Sequence, residues 1–309
     1  MRESRGAMGR RRASRARVGA SLATALLGLV LVVIGCDREE TFEGRSVSAW
    51  AADLRSHDPA VRLEAARAFA RNAPRSPAAT HALLQALATE RSDEVHVMLA
   101  DALGRLGPEG RPAVPQLVAL LRDTHPQVRV QAARALGHIG APAGQVAPPL
   151  AAALADPDHD VRAAAAEAIA RLGPPAVEAT PALVRAIADP ISLVRLEATR
   201  ALAAVDADAA VAVPAFTRAL DDPLEATRFA AAYGVARHGA AAAAAVPGLR
   251  RALRDEHAGL RSAAATALGR IGPAAAAVLP DLRHHLADPD STTRAEAAAA
   301  IGRISGAPP

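Results

Sequence analysis

The chain has 309 residues, of which 51% are hydrophobic and only 2% aromatic, and its formal net charge is +4. Seven Arg and one Glu lie in residues 1–35, so the rest of the chain carries a net charge of −2. Because the chain after residue 35 is nearly neutral, its charge gives no support for nucleic-acid binding. A single cysteine excludes an intrachain disulfide and a cysteine metal cluster.

The N-terminal segment has the pattern of a secretory signal. Residues 1–17 are polar and rich in Arg, and an apolar run follows over residues 18–35. The run ends in Val33-Ile34-Gly35-Cys36, which resembles the lipobox of bacterial lipoproteins. The resemblance implies that residues 1–35 are a signal peptide and that Cys36 is lipidated and becomes the mature N-terminus. It also implies an extracytoplasmic protein, anchored by lipid in the bacterial cell envelope.

Several alternatives stay open for this segment. About 20 apolar residues span a bilayer, so the run also suits an uncleaved transmembrane helix. Either Met1 or Met8 can be the true start. Asp37 resembles the residue that keeps some lipoproteins in the inner membrane of Gram-negative bacteria, but both membranes remain open. Residues 36–45 are interpreted as the lipidated Cys and a polar tether, and residues 306–309 as a short tail.

Residues 46–305 repeat with a period of 33. Six Asp residues keep this step, and an Arg follows each of them six positions later. The pairs are Asp123 and Arg129, Asp156 and Arg162, Asp189 and Arg195, Asp222 and Arg228, Asp255 and Arg261, and Asp288 and Arg294. Two looser copies precede them, around Arg62 and around His96, where His replaces Arg and the unit is one residue longer. A fixed period of this length predicts a stack of eight structural units.

Each unit is predicted to be a helical hairpin. The second half has apolar residues at a helical period, and Gly140 is expected to end one such helix with a positive φ. The first half is a shorter helix opened by a proline such as Pro181, which suits a first helical turn. One hairpin cannot hide its apolar face alone, so neighbouring units are expected to bury it.

These motifs resemble HEAT repeats, in particular the short bacterial class also found in phycobilisome lyases. The resemblance is carried by Asp-Pro turns such as Asp58-Pro59, by Val-Arg pairs and by Ala-Ala-x-Ala-Leu-Gly runs. It implies an all-α, right-handed α-solenoid over residues 46–305. It also implies that the Asp and Arg columns form a structural ladder between neighbouring units.

A second column of cations lies nine residues after the ladder column. These residues fall in the last turn of each second helix and are interpreted as capping its free carbonyl groups: Arg71, Arg105, His138, Arg171, Arg237, Arg270 and Arg303.

The outward positions of the second helices, which line the concave wall of HEAT arrays, are the expected partner surface. Aromatic and Arg side chains are the usual anchors of protein interfaces. Arg134, Arg200, Phe229 and Tyr233 are therefore the predicted partner-binding residues. The partner is expected to be a protein or peptide.

No catalytic residue, cofactor or metal site is predicted. The deoxyhypusine hydroxylases, a HEAT enzyme family, hold iron with His-Glu dipeptides, and none of the ten His residues here precedes Glu. No Gly-rich phosphate loop follows a strand pattern either. The sequence therefore predicts a non-catalytic scaffold. A bilin or tetrapyrrole lyase-like or chaperone activity is the alternative, and a purely structural envelope protein is the third.

Overall fold

The computed structural model describes residues 40–73 and 75–306. The predicted signal peptide, Cys36, residues 37–39 of the tether and residues 307–309 of the tail lie outside the described residues. The described residues up to Val47 belong to a unit of their own. Within this unit β1 (Thr41–Phe42) pairs antiparallel with β2 (Arg45–Ser46). The described part of the predicted tether is thus a tight hairpin, in which Gly44 has a φ of 74° that glycine tolerates.

The second unit, from Ser48 onward, is an all-α solenoid of helical hairpins. The first helices of the eight described hairpins are α1 (Val47–Asp53), α3 (Pro77–Thr89), α5 (Val114–Leu120), α7 (Ala143–Ala153), α9 (Thr180–Ala186), α11 (Ala209–Ala219), α13 (Val246–Ala252) and α15 (Leu279–His284). The second helices are α2 (Pro59–Asn72), α4 (Asp93–Arg105), α6 (Pro126–Ile139), α8 (His159–Leu172), α10 (Ser192–Ala204), α12 (Glu225–His238), α14 (Ala258–Ile271) and α16 (Ser291–Ser305).

Local sequence explains where these helices begin and end. The Asp58 carboxylate caps α2 by accepting the N–H of Ala60 at 2.8 Å. Pro59 is the first residue of α2, a position whose backbone N–H has no partner within the helix, so the N–H that proline lacks is not missed there. Gly140 ends α6 with a φ of 61°, which confirms the predicted C-cap. Short 3₁₀ segments lead into or extend several first helices: Gly107–Ala113, Pro174–Ala179, Gly239–Ala245, Gly272–Val278 and His285–Ala287.

The second helices stack side by side, each against the next from α2 to α16. Glycine allows the closest approaches. A Cβ added to Gly104, Gly137 or Gly269 would lie 2.8–2.9 Å from the Cα of an Ala on the following second helix. Real Cβ atoms do not tolerate such a distance, so the helices sit closer than larger side chains permit. This packing explains a chain that is rich in Ala and Gly and poor in aromatic residues.

One stretch, Ala258–Ala287, is long and apolar enough to cross a membrane by length and composition. The stretch bends at Gly272, where φ is 74° between α14 and the following 3₁₀ segment. Half of its most apolar window is buried in the solenoid. The stretch consists mainly of α14, the second helix of one hairpin, and α15, the first helix of the next hairpin. Its apolar character is therefore explained by the packing of these two helices in the solenoid.

Candidate functional site

The ladder residues join each hairpin to the next one. Arg129 donates from Nε and Nη2 to both carboxylate oxygens of Asp156, at 2.8 and 2.7 Å. Its Nη1 donates to the backbone carbonyl of Asp123 at 2.9 Å, in its own turn. The guanidinium therefore clamps the turn of its own unit to the carboxylate of the next. The same arrangement recurs for Arg162 with Asp189, Arg195 with Asp222, Arg228 with Asp255 and Arg261 with Asp288.

The ends of the ladder differ from these rungs. Arg294, in the last hairpin, donates to the carbonyl oxygens of Asp288 and Pro289 in its own turn. Asp123 accepts the backbone N–H of His125 at 2.8 Å. The corresponding position one unit earlier is His96, so no guanidinium reaches Asp123 from there.

Sequence reasoning missed the first rung, which uses Glu90. Arg62 donates to both oxygens of Glu90 at 2.8 and 2.9 Å. Glu90 lies six residues before His96, as Asp123 lies six residues before Arg129, so a Glu occupies the acidic position of the ladder in this unit. Burial by itself raises the pKa of Glu90, but the Arg62 guanidinium and the N–H groups of Ser92 and Arg91 outweigh burial and lower that pKa to about 2.

The rungs remain charged over the neutral pH range. The Arg261 guanidinium lowers the pKa of Asp288 well below its usual range. Burial alone would raise the pKa of Asp189, yet hydrogen bonds from Arg162 and from the N–H of Ile191 bring it below the usual value. Charge-assisted bidentate pairs of this kind are structural cross-links. The guanidinium groups of the five complete Asp–Arg rungs are therefore engaged and are not free to bind an anion.

Several members of the second cation column bond acidic side chains rather than helix carbonyls. Arg105 pairs with Asp101 at 2.9 Å and Arg171 with Glu167 at 2.7 Å. The ring Nδ1 of His138, by contrast, lies 2.8 Å from the carbonyl oxygen of Arg134. The capping interpretation therefore describes none of these three residues. The Arg134 carbonyl lies five residues before the end of α6, outside the last four carbonyl groups that a helix leaves free, and each arginine has an acidic side chain one turn earlier.

A groove of about 810 Å³ lies between α10 and α12, hereafter the α10–α12 groove. Three of the four predicted partner-binding residues line it. They are Arg200 on α10, and Phe229 and Tyr233 one helical turn apart on α12. Phe229 is 47% and Tyr233 53% exposed, so about half of the surface of each residue remains available for contact.

The α10–α12 groove has a floor of small side chains and a charged rim. Ala203 and Ala230 are buried in its floor. Arg200 is half exposed and bonds Glu197 at 2.9 Å, while Arg237 is exposed on α12. Sequence reasoning missed Arg237 as a groove residue because its place in the cation column favoured a capping role.

Arg134 lies apart from this groove, on α6. Its Nε is 3.8 Å from Glu167 on the next second helix, and half of its side chain is exposed. Other polar side chains of the second helices bridge neighbouring units in the same manner. Gln131 donates to Asp101 at 3.0 Å and Thr266 to Glu296 at 2.9 Å. The structure thus groups Arg134 with these bridging pairs.

The comparison with protein families agrees with the hairpin geometry. The sequence model described as HEAT repeats matches residues 80–147, 146–236 and 213–302. The chain belongs to the HEAT-repeat family. Among curated proteins, none matches this HEAT-repeat protein.

Two solved structures are similar to this HEAT-repeat protein. An engineered protein from the Northeast Structural Genomics Consortium aligns with a TM-score of 0.64 at 25% identity, over 85% of this chain and 79% of that chain. YibA of Escherichia coli aligns with a TM-score of 0.63 at 18% identity, over 87% of this chain and 99% of that chain. At that identity the likeness to YibA concerns the fold alone.

Proposed function

We propose that this HEAT-repeat protein is a non-catalytic scaffold that binds a protein or peptide partner in the α10–α12 groove. A lipid on Cys36 would hold it at the extracytoplasmic face of a bacterial membrane. Repeat arrays of this family commonly mediate protein interactions, which supports a protein partner in general terms.

The exposed aromatic pair is the observation that carries the proposal. Among the described residues, the other large exposed apolar side chains are aliphatic: Val177, Ile191, Leu193, Val211 and Leu286. Within residues 40–73 and 75–306, only Phe229 and Tyr233 combine an exposed ring with a groove and nearby cations. Aromatic and Arg side chains in a concave site are the usual centre of a binding interface.

The rim suggests the chemistry of the partner segment. Arg200 and Arg237 come from the two different helices that form the groove. Glu225 also lines the groove, and its carboxylate faces His257 Nε2 at 3.1 Å. We therefore expect a segment with an apolar side chain that stacks on the rings and a carboxylate that meets one of the arginines.

Photo-crosslinking and binding variants test this site. A photoreactive phenylalanine analogue in place of Tyr233, in living cells, should capture a partner that the same analogue in place of Val211 does not. The captured partner should then bind the Phe229→Ala, Tyr233→Ala variant at least about tenfold more weakly, since anchor residues contribute about 2 kcal/mol or more.

The matched control for this test is Leu193→Ala combined with Val211→Ala, which removes exposed apolar side chains outside the groove. We expect this control to keep the wild-type affinity. Equal affinity of the partner for the aromatic variant and for the wild type would refute the groove as the binding site. Circular dichroism of each variant separates lost binding from lost folding.

A tetrapyrrole is the second candidate occupant of the same groove. The groove is large and mostly apolar, and two arginines at its rim suit the carboxylates of such a pigment. Binding of added biliverdin, followed by its absorbance, distinguishes the two candidates. A spectral change that the aromatic variant loses, without any crosslinked protein, would support this second function.

The membrane anchor has its own test. We expect fatty-acid label in cells on the wild type and no label on Cys36→Ser, because the thiol is the predicted acceptor. The variant should also leave the membrane fraction if lipid is the anchor. Unlabelled wild-type protein that stays in the membrane would instead support the uncleaved transmembrane helix.

A further inference from the structure

The ladder is interrupted between the second and third hairpins. His96 on α4 occupies the position that Arg129 holds one unit later. Arg129 reaches a carboxylate 27 residues ahead, and the corresponding carboxylate for His96 is Asp123. An imidazole is too short to reproduce the forked guanidinium bonds, so this junction lacks the cation that links the units on either side.

Four potential metal ligands gather at the interrupted rung. One ligand atom each of Asp93, His96 and Asp123 lies within 4.8 Å of the other two. Asp93 is three residues before His96, so the two side chains share one face of α4. His125 approaches from the turn before α6, with Nδ1 2.9 Å from Asp93 Oδ2 and 3.9 Å from Asp123 Oδ1.

The buried nitrogen of His96 is a separate observation at this junction. Its Nδ1 is shielded from solvent and has no hydrogen-bond partner. A buried polar atom without a partner is costly, and native structures usually satisfy it. The side chains of Asp93 and Asp123 are 42% and 18% exposed, so an ion can reach the cluster from solvent.

We propose that Asp93, His96 and Asp123 bind one divalent transition-metal ion, and that the ion replaces the missing arginine of the ladder. Imidazole nitrogen combined with carboxylate oxygen suits Zn²⁺ and its neighbours rather than Mg²⁺ or Ca²⁺. In a tetrahedral site, two ligand atoms that each lie about 2.1 Å from the ion are about 3.4 Å apart. The distances between the three ligand atoms therefore need to shorten by about 1.4 Å at most.

Charge favours the ion as well. Two carboxylates meet at this junction, whereas every complete rung balances its carboxylate with a guanidinium. A dication neutralises both carboxylates and ties α4 to the turn before α6. The competing explanation is a direct hydrogen bond between His96 and Asp123, which needs no metal.

Zinc titration of the full-length chain in detergent tests the site. The variant His96→Arg places the regular ladder residue in this unit, so it should fold while losing a metal ligand. We expect the wild type to bind one zinc ion at this junction at least tenfold more tightly than His96→Arg. Zinc should raise the melting temperature of the wild type but not that of His96→Arg.

His159→Arg is the matched control, since it makes the same exchange at a half-exposed histidine at the start of α8, away from the cluster. It should retain wild-type zinc affinity. Asp93→Asn, which removes a ligand charge while leaving the ladder position unchanged, should weaken zinc binding as His96→Arg does. Equal zinc affinity of His96→Arg and wild type overturns the proposal, as does a wild type without zinc binding. The latter result would leave a direct hydrogen bond between His96 and Asp123 as the link between the two units.

Discussion

Replacement of Asp222 by Ala is expected to lower the free energy of unfolding by about 3 kcal/mol, because it leaves a half-buried cation without its partner. Asp222 is 8% exposed and accepts Arg195 Nε at 2.6 Å and Nη2 at 3.2 Å. It also accepts the N–H of Leu224 at 2.8 Å, which orders the turn before α12. In Asp222→Ala both interactions disappear at once.

Asp221→Ala provides a matched control for this change. Asp221 is the preceding residue, has the same charge and forms a similar bidentate pair with Arg251 at 2.7 and 3.1 Å. Its side chain and that of Arg251 are 56% and 58% exposed, so water screens this pair. We expect a loss below about 1 kcal/mol for this variant.

Urea unfolding of both variants measures the difference between them. Each hairpin contacts only its neighbours, so faster hydrogen exchange in Asp222→Ala should concentrate in α10 and α12. Equal destabilisation by the two substitutions would contradict a structural role for the buried ladder, because Asp222 differs from Asp221 in its burial and in the N–H of Leu224 that it accepts.

Gly137→Ala is expected to destabilise the solenoid by about 1–3 kcal/mol through overpacking. The added Cβ would lie 2.8 Å from the Cα and 3.0 Å from the Cβ of Ala168. Backbone atoms of α8 cannot move aside as the tip of a flexible side chain can. The two second helices must therefore separate, and contacts along their whole interface weaken.

Gly302→Ala is the control, since it makes the same exchange at the equivalent position of the last hairpin. A Cβ at Gly302 meets nothing within 4 Å. Alanine also favours a helix over glycine by up to about 1 kcal/mol, so this variant should be neutral or slightly stabilised. Thermal unfolding of the two variants compares them. If the melting temperature fell equally in both variants, contact of the added Cβ with the following second helix would not be the cause of the destabilisation.

The sequence by itself determined the units of this protein. The 33-residue period, the proline-led first helices and the Gly140 cap all depend on contacts inside one hairpin, which short-range patterns describe well. The alternation of Asp and Arg columns also pointed to a charged network. Because every unit repeats the same local rules, the solenoid architecture followed from the sequence.

Only the tertiary structure decided which residues meet across units. It pairs Arg129 with Asp156 of the next hairpin and brings Arg200 beside Phe229 and Tyr233, while it leaves Arg134 three hairpins away from the two rings. It also gathers Asp93, His96, Asp123 and His125 where the ladder is interrupted. These neighbours are about 30 residues apart in sequence, and their meeting depends on how closely the second helices stack. A periodic sequence pattern does not determine the distance between neighbouring second helices. That distance depends on the volume of the side chains at each junction, such as Gly137, which has no Cβ.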